Sequence, residues 1–313
     1  MTIVFPLLEE LPRCPLCSRA EVRALDVYGI GKPIAVDAVR LALVGCEACG
    51  IVFSHPLPTE EALAQYYDTE NESWDRRVRE RLERKASRES PRDEGRPASA
   101  KEPKLTKRAR HRKELAAISA SLPVGGTRRA LDFGCGIGVF LDVLKESGWQ
   151  TYGLEPGPTA RAYVAERHQV VDEIAPGLDV DLAVVYHVLE HVRDPLATVR
   201  RVGAAVRPGS GCIFVAVPDL GRLPEHRDRT YVASKLHIFS FTRSSLRSLL
   251  GLAGFEVLGF PEPSGAKPTR LLCLARRTGT VSEPDGRPLS EALAALRGYG
   301  EICASRAPTD LAG

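Results

Sequence analysis

Long apolar runs are missing from this sequence. No uninterrupted hydrophobic stretch approaches the ~20 residues that cross a bilayer, so no transmembrane helix is expected. The apolar run near the N-terminus, Ile3 to Leu8, has no basic flank and no small-residue cleavage site, unlike a secretion signal. A soluble, cytoplasmic protein is the expectation. An excess of one charge is missing as well. Forty-three Lys and Arg stand against 40 Asp and Glu, and a net +3 is too small to argue by itself for a polyanionic partner. A secreted disulfide framework is also missing: of eight cysteines, four form two Cys-x-x-Cys pairs and four are scattered singly. There is no internal repeat. What remains, 313 residues at 43% hydrophobic and 27% charged, suits one medium domain with a small appendage.

The pattern along the chain divides it into four. Residues 1–70 hold both cysteine pairs, a β-like run at Arg40–Gly45 and a helix start at Pro58-Thr59-Glu60-Glu61 leading to Tyr66-Tyr67. Residues 71–112, dense in Arg, Lys, Glu, Ser and Pro, read as a partly flexible basic linker or lid, with positive charge gathered between Arg76 and Lys113. Residues 113–278 alternate apolar strands (Ala130–Phe133, Gln150–Leu154, Leu182–Tyr186, Cys212–Val217) with amphipathic helices (Val139–Ser147, Thr159–Arg167, Pro195–Val206). Repeated βα units of this kind specify a doubly wound α/β fold, a mostly parallel sheet with helices on both faces. A helix over Ser244–Ala253 and two strands, Phe255–Gly259 and Arg270–Ala275, then read as a hairpin closing the sheet. Residues 279–313 form a polar tail with one helix, Leu289–Cys303.

The most informative stretch is Leu131-Asp132-Phe133-Gly134-Cys135-Gly136-Ile137-Gly138-Val139, a strand running through a glycine loop into a helix. Alternate glycines let the backbone turn tightly beside a ligand, and the amides opening the helix face it. A dinucleotide fingerprint would need a further glycine where Val139 stands, which weakens a pyrophosphate reading. Seventeen residues past Gly138, the next strand ends at Glu155, whose carboxylate can accept hydrogen bonds from both ribose hydroxyls of an adenosine. The strand Asp181–His187 and the segment Val188-Leu189-Glu190-His191-Val192 follow in order.

With these motifs, residues 128–277 resemble a class I S-adenosylmethionine-dependent methyltransferase domain of the small-molecule type. Arg207-Pro208-Gly209-Ser210-Gly211, Leu236-His237-Ile238-Phe239-Ser240-Phe241 and Ala253-Gly254-Phe255 are similar to later landmarks of that family. The resemblance implies a seven-stranded Rossmann-like sheet, S-adenosyl-L-methionine as cofactor and S-adenosyl-L-homocysteine as product. It implies that Asp132, Gly134, Gly136 and Gly138 shape the methionine end, that Glu155 holds the ribose, that Glu173 lies near the adenine edge, and that His187 faces the substrate.

Cys14-Pro-Leu-Cys17 and Cys46-Glu-Ala-Cys49 are two knuckles with 28 residues between them. Cys14, Cys17, Cys46 and Cys49 can hold one Zn2+ through four sulfurs at ~2.3 Å, a closed and therefore structural site. A redox dithiol is the alternative; His55 reads as a surface residue, and Cys135 as a small packed side chain. The whole arrangement resembles methyltransferases in which a zinc-ribbon segment precedes the catalytic domain, sugar C-methyltransferases among them. Ser234-Lys235 stands where those enzymes have Glu-His, so the resemblance supports the architecture more than the substrate.

The chemistry implied is in-line methyl transfer to a small-molecule acceptor, with a base required when the acceptor is a hydroxyl or carbon acid. His187, His226 and His237 are the candidate bases, Tyr186 and Tyr231 candidate wall residues, and His191 a residue that organises its loop. Two rivals stay open. One is an RNA methyltransferase holding nucleic acid through its zinc module and basic linker; the other is a cofactor-binding adaptor that no longer catalyses. Tyr186-His187-Val188, where nucleic-acid base methylases carry an acidic or Asn-Pro-Pro-aromatic segment, disfavours the first.

Overall fold

The computed structural model describes residues 13–25, 35–36, 39–40, 42–55, 106–123, 125–175, 177–225, 237–262, 269–284 and 289–305, with Leu57, Thr59, Leu63, Arg76 and Glu80. Most of the helix expected from Pro58 to Tyr67 and most of the linker fall outside them, but Leu63 is helical and its N–H donates to Thr59 O at 3.0 Å.

The N-terminal module is built on its two cysteine turns. In the first, Ser18 N donates to Cys14 O at 2.9 Å, and in the second Gly50 N donates to Cys46 O at the same distance. Both turns close on a residue in the left-handed region, Ser18 at φ 60° and Gly50 at φ 74°. Around them run β1 (Val22–Ala24), the small hairpin β2 (Ala35–Val36) and β3 (Val39–Arg40), β4 (Ala42–Cys46) and β5 (Val52–His55). Strand β4 pairs antiparallel with β1 and with β5, placing Val22 opposite Cys46 and Val44 opposite Phe53.

The large domain opens with helix α1 (Lys107–Ile118), where the sequence suggested a linker reaching residue 112. Thr106 caps it, its hydroxyl accepting from Ala109 N at 3.2 Å. The boundary drawn at 112/113 therefore falls inside a helix. Its buried face is His111, Glu114, Leu115 and Ile118, at helical spacing but half polar, which hides the amphipathic signal.

Then follow β6 (Arg129–Phe133), α2 (Val139–Glu146), β7 (Gln150–Leu154), α3 (Pro158–Ala165), β8 (Gln169–Val170), β9 (Leu182–Tyr186), α4 (Pro195–Ala205) and β10 (Cys212–Pro218). The two-residue β11 (Phe239–Ser240), α5 (Arg243–Leu252), β12 (Phe255–Gly259), β13 (Arg270–Arg277) and α6 (Leu289–Ser305) complete the order. The main sheet has seven strands in the order β12-β13-β10-β9-β6-β7-β8. All are parallel except β13, which runs antiparallel between β10 and β12 as the expected hairpin does. Alternate residues face opposite sides, which is the strand period of two. Leu131, Ala183, Val185, Ile213 and Val215 pack with Val199 and Val202 of α4 and Leu246 and Leu249 of α5. Ala130, Leu182, Val184 and Phe214 pack with Ile118 of α1 and Phe140 and Leu144 of α2. Strands covered on both faces read as unbroken apolar runs, as β9 and β10 do.

The module is not a separate bead. Cys14, Leu16, Ile51 and Phe53 belong to the same buried cluster as the α4 and α5 face. Helix α6, expected as part of a polar tail, buries Leu289, Ala292 and Leu296 against Leu43 and Val52 of the module and Leu220 and Leu223 of the large domain.

Buried carboxylates sit at both ends of the central strands, and they differ. Asp181, at the start of β9, accepts from Arg129 N at 2.9 Å and from the Arg207 guanidinium. Asp132, near the end of β6, is 2% exposed, and its Oδ1 has no hydrogen-bond partner among the described residues. Burial, with the Glu155 charge adding, pushes the Asp132 carboxyl up to about 8.

Two outcomes follow from this contrast. Asp181→Ala leaves the part-buried Arg129 amide and the Arg207 guanidinium without this partner, at about 2 kcal/mol. The melting temperature should drop by about 4–8 °C for a domain of this size, and an unchanged melting temperature contradicts the assignment. For Asp132, a carboxyl held above its unfolded pKa favours folding most at low pH. That contribution is lost as pH rises through about 8. Asp132→Asn cannot titrate, so its melting temperature relative to wild type should rise by at least ~2 °C between pH 5 and pH 9, a difference that calorimetry resolves.

Candidate active site

In an open α/β sheet, ligands lie beyond the carboxyl ends of the strands, where neighbouring strands send their connections to opposite faces. Here that point lies between β6, followed by α2 on one face, and β9, followed by α4 on the other. Two loops border it, 134–138 after β6 and 187–194 after β9.

The first loop is held by its neighbour strand. Gly134 N and Cys135 N both donate to Leu154 O, at 2.8 and 3.1 Å. Gly134 has φ 78°, and a Cβ there would stand 2.7 Å from Val188 Cγ2, so the two loops meet at a position only glycine fills. Gly136 differs: at φ 54°, a Cβ would meet nothing within 4 Å, so its Cα faces open space. Glu155, 8% exposed, accepts from Gly136 N through Oε2 at 2.8 Å and from Gly157 N through Oε1 at 2.9 Å. A carboxylate oxygen can accept more than one hydrogen bond. The loop thus leaves open space beside Gly136, with an acid fixed at its rim. Gly138, in the left-handed region at φ 75°, starts α2 and is buried beside Val164. Glu173 is exposed in the bend after β8, one residue from Asp172, which pairs with Arg161. Burial, with the Asp132 and Glu155 charges, pushes the Cys135 thiol up, so it stays protonated.

The second loop carries a cluster that sequence order does not reveal. His187 is exposed and, unusually for a residue with a side chain, has φ 57°. Its Nδ1 lies 2.9 Å from Glu190 Oε1. Glu190 is 1% exposed, and its Oε2 has no hydrogen-bond partner among the described residues. Burial raises the Glu190 carboxyl, but the His187 hydrogen bond and the His187 and His191 charges outweigh it and hold the group below the ordinary range. His191 Nε2 stands 3.7 Å from Glu190 Oε1, and the His191 ring meets the His237 ring edge-on, centroids 4.9 Å apart. Ligating atoms of Glu190, His191 and His237 all lie within 4.8 Å of one another. The structure thus joins His187 and His237, both expected at the site, through Glu190 and His191. His226 and Tyr231 lie outside the described residues.

Tyr186 faces the α1 side. Its hydroxyl donates to Glu114 Oε1 at 3.3 Å, and Glu114 also takes Arg270 at 3.1 Å and His111 Nδ1 at 3.0 Å. The His111 ring lies between Phe140 and Tyr186, with centroids at 4.8 and 4.9 Å, and burial lowers its pKa. None of this network was legible beforehand except Tyr186 as a wall.

In the N-terminal module, Cys14 Sγ is 3.6 Å from Cys49 Sγ and Cys17 Sγ is 3.6 Å from Cys46 Sγ, with all four sulfurs within 4.8 Å of one another. None is in a disulfide. Sulfurs ~2.3 Å from a tetrahedral centre stand about 3.8 Å apart, so the set fits one zinc ion.

The family model described as a methyltransferase domain matches residues 74–259, more than half of the chain. A ubiquinone biosynthesis O-methyltransferase of Methylobacterium nodulans is 37% identical over 98 residues, 28% of this chain and 39% of that protein. A Mycolicibacterium smegmatis protein named "Probable S-adenosylmethionine-dependent methyltransferase" is 30% identical over 138 residues, 42% of this chain and 52% of that protein. The chain thus spans about half, or less, of the length of these curated relatives. The solved 1,6-didemethyltoxoflavin-N1-methyltransferase of Burkholderia thailandensis, with 1,6-didemethyltoxoflavin and S-adenosylhomocysteine bound, aligns with 79% of this chain and all of that one. Its TM-score is 0.49 and its identity 19%. On its sheet order, its glycine loop and the family match together, the chain belongs to the methyltransferase-domain family, with the class I S-adenosylmethionine-dependent fold.

Proposed function

We propose that this chain transfers a methyl group from S-adenosylmethionine to a small-molecule acceptor through a hydroxyl, with zinc in a purely structural role. The observation that carries the reading is the meeting of the glycine loop, at Gly134, with the loop that brings Glu190 and His191 to the cluster with His237. When bound, the cofactor supplies an electrophilic methyl group on a sulfonium sulfur.

The chain's own residues do the rest. Gly134, Gly136 and Gly138 let the backbone approach the methionine end, Asp132 stands behind them, and Glu155 takes the ribose hydroxyls. Glu173 lies toward the adenine edge. His237 is the base of choice for the acceptor proton, because the Glu190 carboxylate beside it stabilises an imidazolium. His187, locked to Glu190, orients that carboxylate and lines the acceptor side. An O-methyltransferase among the curated relatives supports the hydroxyl over carbon or nitrogen. The nucleic-acid alternative loses support from the described part of the basic segment, since Arg108 and Arg112 both pair with Glu146.

Glu155→Ala removes a charge-assisted contact of about 2–3 kcal/mol, and Gly136→Val fills the open space beside the loop. Each should reduce S-adenosylhomocysteine affinity at least ~30-fold by calorimetry. Wild-type affinity in both would place the pocket elsewhere. His237→Ala should lower turnover by ~10²–10⁴ with that affinity nearly unchanged. The assay uses methyl-labelled cofactor with a panel of phenols and sugars, and total RNA in parallel; label entering RNA alone overturns the small-molecule reading. Freshly purified protein should hold one zinc per chain by elemental analysis, and Cys14→Ser with Cys46→Ser should remove it.

A further inference from the structure

The short strand β11 belongs to two structures at once. Along one edge it extends the module's sheet: Phe239 pairs with Phe53, Ser240 with Val52, and Ser54 N donates to Ile238 O at 3.0 Å. The Phe53 and Phe239 rings lie 6.3 Å apart and are both buried. Along the other edge, Ile238 N and Phe239 N donate to the backbone carbonyl of Glu190 at 2.9 and 3.3 Å. The residue just before this doubly bonded pair is His237. After it, Thr242 caps α5 through a reciprocal pair of bonds with Ser245.

We propose that the N-terminal module is a clamp that positions His237. Strand β5 and the Glu190 carbonyl grip β11 from its two sides, and this sets the His237 ring against His191 and Glu190. On this view the four cysteines govern the acceptor side of the active site from a distance, through one strand pairing. The cofactor side is held separately, by Leu154 O on Gly134 and Cys135 and by Glu155 on Gly136. Losing the clamp therefore disturbs proton acceptance and spares cofactor binding. The inference rests on His237 lying at the acceptor side, as proposed above, but the position of its ring can be tested without any acceptor.

Ser54 offers a narrow test. Its N–H is spent on β11, so proline there deletes one bond of the clamp and none of the donors between β4 and β5. Its hydroxyl has no hydrogen-bond partner among the described residues, so no side-chain bond is lost with it. The full-length Ser54→Pro protein, with zinc content checked, is compared with wild type by histidine-selective NMR, the His237 signals being assigned from His237→Ala. The expected result is a displaced or broadened His237 imidazole signal with S-adenosylhomocysteine affinity within about twofold of wild type. On any phenol or sugar that wild type methylates, turnover should fall at least ~10-fold. An unmoved His237 signal in the zinc-loaded variant overturns the clamp.

If Ser54→Pro loses its zinc, amide exchange on wild type before and after chelation decides instead. Ile238 and Phe239 should lose protection together with Val52 and Phe53, while residues 131–145 keep theirs. Retained protection at Ile238 and Phe239 overturns the clamp. Should His237→Ala leave turnover intact, the base assignment fails while the NMR and exchange results still judge the clamp.

Discussion

The carbonyl of Leu154 holds the site open. By accepting the amides of Gly134 and Cys135 at once, it pins the glycine loop across the end of β7 and keeps the crevice from collapsing onto β6. The next residue, Glu155, turns its carboxylate back to Gly136 and forward to Gly157, so one short stretch of β7 ties the loop to the start of α3. Because two bonds from a rigid strand fix the loop, its middle glycine, Gly136, can face space without disorder. Buried central strands supply that rigidity, since β9 and β10 bury nearly every side chain.

The two walls of the crevice are made differently. On the α1 side, Glu114 is fully buried yet satisfied threefold, by His111, Tyr186 and Arg270. Such a network fixes geometry and leaves nothing over for chemistry. On the other side, Glu190 is as deeply buried but keeps one oxygen unengaged among the described residues, next to two imidazoles. Equal burial with unequal satisfaction separates the framework carboxylate from the one suited to a reacting proton.

What could be read from the sequence was local. The glycine loop and the acid seventeen residues on lie within one βαβ stretch, and the apolar runs of β9 and β10 each declare themselves within a few residues. The paired cysteines were legible for the same reason: a Cys-x-x-Cys turn announces itself within four residues. Helix α1 was hidden because His111 and Glu114 take core positions, and a buried, hydrogen-bonded polar pair looks like surface in a hydrophobicity pattern. Strand β8 was too short to show a period. The approach of His237 to His191 was illegible because it depends on a pairing between β5 and β11, nearly two hundred residues apart. The role of α6 was missed because its apolar face answers to Leu43 and Leu220, neither of them nearby in sequence.

That same separation bears on how the molecule is made. On the ribosome, β5 emerges with its outer edge bare, and the strand that covers it is not synthesised until the parallel sheet is largely through the exit tunnel. An open edge in a growing chain invites pairing with the wrong partner. Here the edge is only four residues long and ends at His55, which shortens the template it offers. The antiparallel β13 adds a shorter delay, since β10 stays uncovered on one side until residues 270–277 return. Folding is thus weighted toward late, long-range closures, which slow the final step and leave this chain more dependent on protection during synthesis than its stable, well-buried sheet would suggest.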